Sequence, residues 1–362
     1  MVRLTFVGDI ALDKPLLKAA KRRGKDVYDF SDVFHTEDIF AGSDLVIGNL
    51  ETCFGGGHRF NSKPYHYNSP DSFCQAIKEA GIGLVSTANN HCTDEGVYGI
   101  RRTLEQLDKC GIEHTGTFAS ETKDRYLIKE IKSIRVAFYS LTYSVNPCLE
   151  SLGCGDLYRY VNLTGFSGRR GSKAKQYLSY VLKPKIKQKL KKWMGKSTIA
   201  SFPDTFKIEK IRPEWMADIE TQIQRARERS DFLVVLLHSG GQFNIEPGEY
   251  SKFIMDRLLE LGADIVVGNH PHTVQRIENR DGKVAAFSLG GYCMSVSGEY
   301  LVHDCLPEYS LALHVELDEK GNIADYRVDV LKGTEDEKGY LNVKGANDAG
   351  ASEIRIRAGF LS

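Results

Sequence analysis

Residues 265–272 read Ile265-Val266-Val267-Gly268-Asn269-His270-Pro271-His272: a β-branched run that stops at glycine and then offers two imidazoles two positions apart. A short, unbroken apolar run bounded in this way is the pattern of a strand buried on both faces. Working outward, the same order recurs four times. Leu4–Gly8 leads into Asp9, the strand ending Ile47-Gly48-Asn49-Leu50 into Glu51, Leu84–Ala88 into Asn89-Asn90-His91, and Phe232–Leu237 into His238. In parallel α/β sheets ligands bind beyond the carboxyl ends of strands, so five such ends can share one crevice.

The segments around these ends set the fold class. Val2–Val7, Asp44–Ile47, Gly83–Thr87 and Ile134–Ser140 read as strands, and Ser72–Ala80, Tyr98–Lys109 and Tyr250–Leu261 as helices, with Ser69-Pro70 a start signal for the first helix. Alternation of this kind predicts a largely parallel sheet covered by helices. Ala285–Leu289, Leu311–Leu317 and Tyr326–Leu331 then follow with few helical residues between them, and Asp318–Asn322 is a hairpin turn signal. The expectation is an α/β fold of two packed mixed sheets with outer helices, occupying residues 1–335. The polar, glycine-containing stretch 336–362 is expected to lie over the surface as a C-terminal tail.

Between Tyr143 and Trp215 the rhythm stops. Arg169 to Lys196 holds eleven Lys or Arg and no Asp or Glu, with a narrow apolar stripe of Leu178, Leu182, Ile186 and Leu190 that Pro184 divides. This reads as a basic insertion at about 145–212. A solvated surface helix pair is the plain reading. An arm for an acidic polymer or an anionic membrane surface is the sharper one.

Over all 362 residues, 48 basic and 48 acidic side chains cancel, so no global field points to nucleic acid. No uninterrupted run reaches the ~18 apolar residues of a membrane-spanning helix. Met1-Val2-Arg3 leads straight into a strand pattern without a leader, and the eight cysteines form no Cys-x-x-Cys pair. Both features predict reduced thiols in the cytoplasm; Cys148 and Cys154 are near enough in sequence to pair, but read more plainly as free buried thiols.

The residues at the strand ends suit one task. Carboxylate, imidazole and amide oxygen together fit Mn, Fe or Zn rather than a soft-thiolate metal. Pro271 is expected to push His270 into extended geometry, where i and i+2 face the same way and both imidazoles reach one site. Each residue alone has a plainer reading. Asp9 is a cap or turn residue, Asn89-Asn90 a turn, and His238 a core histidine bonded to backbone. Their joint order is what points to a metal. His35, His58, His66, His114, His303 and His314 lack such company and read as structural or surface residues.

The ordered blocks Gly8-Asp9, Asn49-Leu50-Glu51, Ala88-Asn89-Asn90-His91 with Asp94, His238-Ser239-Gly240-Gly241, Gly268-Asn269-His270-Pro271-His272 with Gln275, and Phe287–Tyr292 resemble the bacterial capsule synthesis family (CapA, poly-γ-glutamate biosynthesis). That family looks like a divergent branch of the calcineurin-like metallophosphoesterases, whose fold is a four-layer α/β/β/α sandwich of two mixed sheets. The resemblance implies metal ligation by Asp9, Glu51, Asn90, His238, His270 and His272, with one or two divalent ions per chain. It makes His91 the non-ligand histidine that protonates the leaving group, with Asp94 beside it. Two departures matter. Ala11 stands where the family's Asp-x-His has histidine, and Asn49 stands at the Gly-Asp aspartate, with Glu51 as its charged substitute. They should weaken one of the two metal positions.

The implied function is a metal-dependent hydrolase acting on a phosphoester or a γ-glutamyl amide or ester. The alternatives are a catalytically inactive polymer-binding or assembly factor of a capsule synthase, or a metal-free scaffold. Expected partners are poly-γ-glutamate or another anionic polymer, capsule synthase components, or an anionic membrane surface reached through Arg169–Lys196.

Overall fold

The computed structural model describes residues 1–22, 27–57, 60–61, 66–146, 159–164, 193, 213–298 and 300–360. Apart from Trp193, the basic insertion Arg169–Lys196 lies outside the described residues, as do Cys148, Cys154 and His58.

The chain begins β1 (Val2–Ile10), α1 (Lys14–Ala20), β2 (Phe34–His35), α2 (Glu37–Phe40), β3 (Leu45–Leu50), α3 (Asp71–Glu79), β4 (Ile82–Ser86) and α4 (Gly96–Cys110). It continues β5 (Glu113–Thr115), β6 (Leu127–Ile131), β7 (Ile134–Thr142), α5 (Pro213–Glu228), β8 (Phe232–His238), α6 (Glu249–Glu260) and β9 (Ile265–Asn269). The finish is β10 (Ile277–Arg280), β11 (Lys283–Ala286), β12 (Gly291–Cys293), β13 (Tyr309–Leu317), β14 (Ile323–Glu335), β15 (Leu341–Gly345) and α7 (Ala349–Arg357).

Two mixed sheets result. One has the order β2-β15-β14-β13-β1-β3-β4-β5, with β12 added beside the end of β1, and the other β10-β11-β9-β8-β7-β6. Alternation along the strands sorts the apolar side chains into three layers. Leu4, Phe6 and Ile47 from the first sheet meet Phe138, Val234, Leu236 and Val267 from the second in a shared inner core. The outer face of the first sheet (Val46, Val85) packs on Leu16, Phe73 and Ile77 of α1 and α3. The outer face of the second (Leu233, Val235) packs on Ile219, Ile223, Ile254 and Leu258 of α5 and α6. This is the expected four-layer α/β/β/α sandwich.

Register brings the functional strand ends level. Asp9 stands opposite Asn49, and Asn49 opposite Ser86, in the first sheet. Thr142 stands opposite His238, and His238 opposite Asn269, in the second. Two glycines let backbone close in beneath them. A Cβ at Gly8 would sit 1.9 Å from the Gly290 carbonyl oxygen, and one at Gly268 would sit 2.0 Å from that of Phe287.

The surface-tail expectation for 336–362 does not hold. Leu341 and Val343 alternate inward from β15, which pairs with β14 on one side and β2 on the other, and Ala351 and Ile354 of α7 are buried in the inner core. Asp348 caps α7 by accepting from the Ala351 N–H. The hairpin at Asp318–Asn322 forms as expected, with Gly321 at φ 82° and the Asp318 N–H donating to Asn322.

Candidate metal centre

Each donor arrives from the end of a strand. Asp9 lies within the last turn of pairing of β1, Glu51 directly follows β3, and Asn90 and His91 follow β4, all from the first sheet. His238 ends β8 and His270 and His272 follow β9, from the second. All seven side chains are buried.

Two clusters form, and Glu51 belongs to both. Ligand atoms of Glu51, His238 and His270 lie within 4.8 Å of one another, as do those of Asp9, Glu51 and His272. His238 Nε2 is 2.7 Å from Asn90 Oδ1, 3.0 Å from His270 Nδ1 and 3.6 Å from Glu51 Oε1. Asn90 therefore joins the first cluster as a fourth donor. In the second, His272 Nδ1 is 3.0 Å from Asp9 Oδ2 and 3.7 Å from Glu51 Oε2.

Glu51 decides whether a cation fits. Both of its carboxylate oxygens are buried and neither has a hydrogen-bond partner. Burial, and then the charges of Asp9 and Asp94, push its carboxyl well above the ordinary range. A buried carboxylate in this position is stable as an anion only with a counter-charge. His238 and His270 do not supply one, because burial, and then repulsion from neighbouring imidazoles, holds both well below their ordinary range. They are neutral, which is the form that ligates metal. The donor set thus suits a divalent ion bound through nitrogen and oxygen.

The route by which His270 and His272 converge differs from the extended geometry expected of them. Both have positive φ, 104° and 56°, and their rings lie 5.9 Å apart. Such backbone costs of order 1–3 kcal/mol per residue away from glycine and survives only where the surroundings hold it. Here the His270 N–H donates to Asp9 Oδ2 at 3.1 Å and the Phe243 N–H to the Pro271 carbonyl at 2.7 Å.

His91 stands apart from both clusters. Its Nδ1 is 2.6 Å from Asp94 Oδ2, which also accepts the Tyr67 N–H at 2.7 Å. Its Nε2 is 3.9 Å from Glu51 Oε1, and its ring meets that of Tyr67 edge-on at 4.3 Å. Asn49, at the position of the missing aspartate, donates from Nδ2 to Asp9 Oδ1 at 2.7 Å and lies 3.2 Å from His238 Nδ1. It orients two ligands instead of supplying charge. Ala11 is buried in an apolar cluster with Phe243, Met294, Leu301, Val302 and Cys305. The place of the lost imidazole is closed by packing.

Sequence reasoning missed Tyr67, Tyr143 and Asn146. Tyr143 Oη lies 3.2 Å from His270 Nε2, and Asn146 Nδ2 lies 3.2 Å from His91 Nδ1. Their partners are 127 and 55 positions away, so no spacing in the sequence announces them. Of the histidines set aside, His314 is a core residue held between Thr5 and Asp329.

Imidazoles, carboxylates and one amide gathered across the ends of two facing sheets make this a four-layer α/β/β/α sandwich with a metal-type donor set at one rim. Within that class, the chain belongs to the bacterial capsule synthesis protein family PGA_cap, whose profile matches residues 3–295. It is 23% identical over 311 residues to the PGA biosynthesis protein CapA of Bacillus subtilis (strain 168), covering 85% of this chain and 67% of that protein. It is likewise 23% identical over 318 residues to the capsule biosynthesis protein CapA of Bacillus anthracis, covering 85% of this chain and 63% of that one. The chain thus spans about two thirds of the length of these relatives. A 5'-nucleotidase precursor from Thermus thermophilus aligns with 98% of this chain and 57% of its own at 13% identity and a TM-score of 0.39, too distant a likeness to bear on activity. Among the described residues no helix is long and apolar enough to cross a membrane.

The split between clusters gives a prediction. His238→Ala is expected to empty the cluster of Glu51, Asn90 and His270, and His272→Ala the cluster of Asp9 and Glu51. Circular dichroism should be unchanged in both, because the histidines end strands whose cores lie below them. Elemental analysis checks this; wild-type metal content in either variant would remove that histidine from the ligands.

Proposed function

We propose that this chain is a metal-dependent hydrolase binding one or two Mn, Fe or Zn ions per chain. The observation that carries the reading is Glu51, with two buried, unpartnered oxygens shared between two sets of nitrogen and oxygen donors. Asn90, His238, His270 and Glu51 would hold one ion, and Asp9, Glu51 and His272 the other. The second has one side chain fewer because Ala11 stands in place of an imidazole, so it is the weaker position.

A bound ion of this kind lowers the pKa of water toward neutrality and polarises the oxygen under attack. The chain's own residues do the rest. Asp94 accepts from His91 Nδ1–H and fixes the ring, which leaves Nε2 as the atom that passes a proton to the departing group. The substrate is a phosphoester or a γ-glutamyl amide or ester, and membership of a capsule synthesis family favours the latter. The six cysteines that are free among the described residues fit a reducing, cytoplasmic setting.

The test is turnover of a simple phosphodiester and of poly-γ-glutamate by metal-loaded protein, lost on chelation and restored by the ion. Loaded protein that turns over neither supports the second reading, an inactive polymer-binding or assembly factor of a capsule synthase. The packing-filled site at Ala11 favours that reading.

For Arg169–Lys196, eleven cations without an acidic neighbour in the segment support a dock for an anionic polymer, ahead of an anionic membrane surface or capsule synthase components. Reversing Lys185, Lys187, Lys189 and Lys191 to Glu is expected to abolish a poly-γ-glutamate pull-down while sparing metal content. Wild-type binding should fade with salt, since exposed charges are screened beyond ~8 Å at physiological ionic strength. No pull-down and no liposome flotation by wild type at low salt would return the segment to a solvated surface.

A further inference from the structure

The four residues that follow β7, Tyr143 to Asn146, reach two donors of the same cluster. The Tyr143 N–H donates to the His238 carbonyl at 3.1 Å, and its hydroxyl faces His270 Nε2 at 3.2 Å. Three residues on, the Asn146 N–H donates to the Asn90 carbonyl at 2.7 Å. The Asn146 carbonyl accepts from Thr93 Oγ1 at 3.4 Å, and its side-chain Oδ1 accepts from Asn90 Nδ2, also at 3.4 Å. Val145 between them is buried with Ala88 and Cys92, the residues that flank the Asn90 loop.

Each contact answers a question of orientation. An asparagine ligates a cation only through its carbonyl oxygen, and a flipped amide would offer two N–H donors instead. With Nδ2 of Asn90 directed to Asn146 Oδ1, Oδ1 is left facing His238 Nε2. An imidazole ligates through the nitrogen that carries no proton. His270 Nδ1 faces His238 and the cluster, so its proton belongs on Nε2, where the Tyr143 oxygen can accept it.

We propose that Tyr143 and Asn146 are positioning residues for the ion site of Asn90, His238, His270 and Glu51. Asn146 selects the amide face that Asn90 presents, and Tyr143 selects the tautomer of His270. The inference deepens the metal-site reading above and rests on it. Outer partners of this kind are worth about 10–100-fold in metal affinity.

The test is Zn²⁺ affinity by chelator competition for wild type, Tyr143→Phe, Asn146→Ala and Asn146→Asp. Tyr143→Phe keeps the ring and its packing, and Asn146→Asp keeps an oxygen for Asn90 Nδ2. Tyr143→Phe and Asn146→Ala are each expected to bind about 10–100-fold more weakly. Asn146→Asp is expected to return to within a few-fold of wild type. In the metal-free protein, ¹⁵N-histidine NMR should show His270 protonated on Nε2 in wild type and a mixture of tautomers in Tyr143→Phe. Wild type that binds Zn²⁺ alongside variants that bind equally well would overturn this assignment and leave the metal site standing. Weakened binding with an unchanged tautomer and no rescue by Asn146→Asp would reduce both residues to packing and overturn it as well. Wild type that binds no Zn²⁺ would overturn the metal site itself, and this assignment with it.

Discussion

Glu51→Gln is expected to move thermal stability in opposite directions with and without metal. In chelator the variant should melt a few degrees above wild type, because an unpartnered buried carboxylate is replaced by a neutral group of the same shape. The folded carboxyl titrates well above its ordinary value of 4.5. Wild-type stability in chelator is therefore full below about 4.5 and falls as pH rises toward the folded value, while the variant lacks that fall. With metal present the order reverses. Glu51 is common to both clusters, so its loss removes charge from both positions. Affinity should drop by more than ~10²-fold, since a charged ligand counts for more than the outer partners that are worth 10–100-fold. Scanning calorimetry in chelator and in excess ion, alongside elemental analysis, reads both effects. Wild-type metal content in Glu51→Gln would sink the shared-carboxylate reading.

The second large effect is on chemistry rather than on binding. His91→Ala is expected to keep its metal and lose turnover by ~10²–10⁴-fold, the usual worth of one general acid. The geometry separates the two roles: Nδ1 is turned to Asp94 at 2.6 Å, and Nε2 is 3.9 Å from the nearest Glu51 oxygen and outside both clusters. Asp94→Asn should lose less, because the ring remains but its tautomer is no longer fixed. Metal content and kcat measured on the same preparations decide the matter. A variant of His91 that loses metal would make it a ligand.

The strand ends were legible in the sequence for a physical reason. A strand buried on both faces, such as Phe232–His238, must be apolar throughout, so its first polar residue marks where the sheet opens. Asp9, Glu51, Asn90 and the His270–His272 pair were legible in a looser way, as ligand-type residues at or just beyond the ends of largely apolar runs. The rule failed at Leu341–Gly345, where only Leu341 and Val343 turn inward and Asn342 separates them. Five residues between turns become a strand there only because β14 and β2 offer edges on both sides. The rule was also silent on how the two histidines meet. Proline disfavours helix at His270, but whether the chain turns to positive φ depends on acceptors such as Asp9 Oδ2, which lies 261 positions earlier. Tyr143 and Asn146 were invisible for the same reason: their meaning lies wholly in partners brought by other strands.

Neither cluster can be assembled from one sheet. Asp9, Glu51 and Asn90 come from the first, and His238, His270 and His272 from the second, so any ion held by either cluster is a rivet across the sandwich at one rim. Below that rim the two sheets meet, among the described residues, largely through apolar side chains such as Phe6, Phe138 and Val234, which resist separation well but resist sliding poorly, with few polar ties such as Ser86 Oγ to Ser140 Oγ. Loading would therefore stiffen the protein against shear more than against compression. The slowest-exchanging amides should spread from the middle of β1 and β8 toward their carboxyl ends as the ion is taken up.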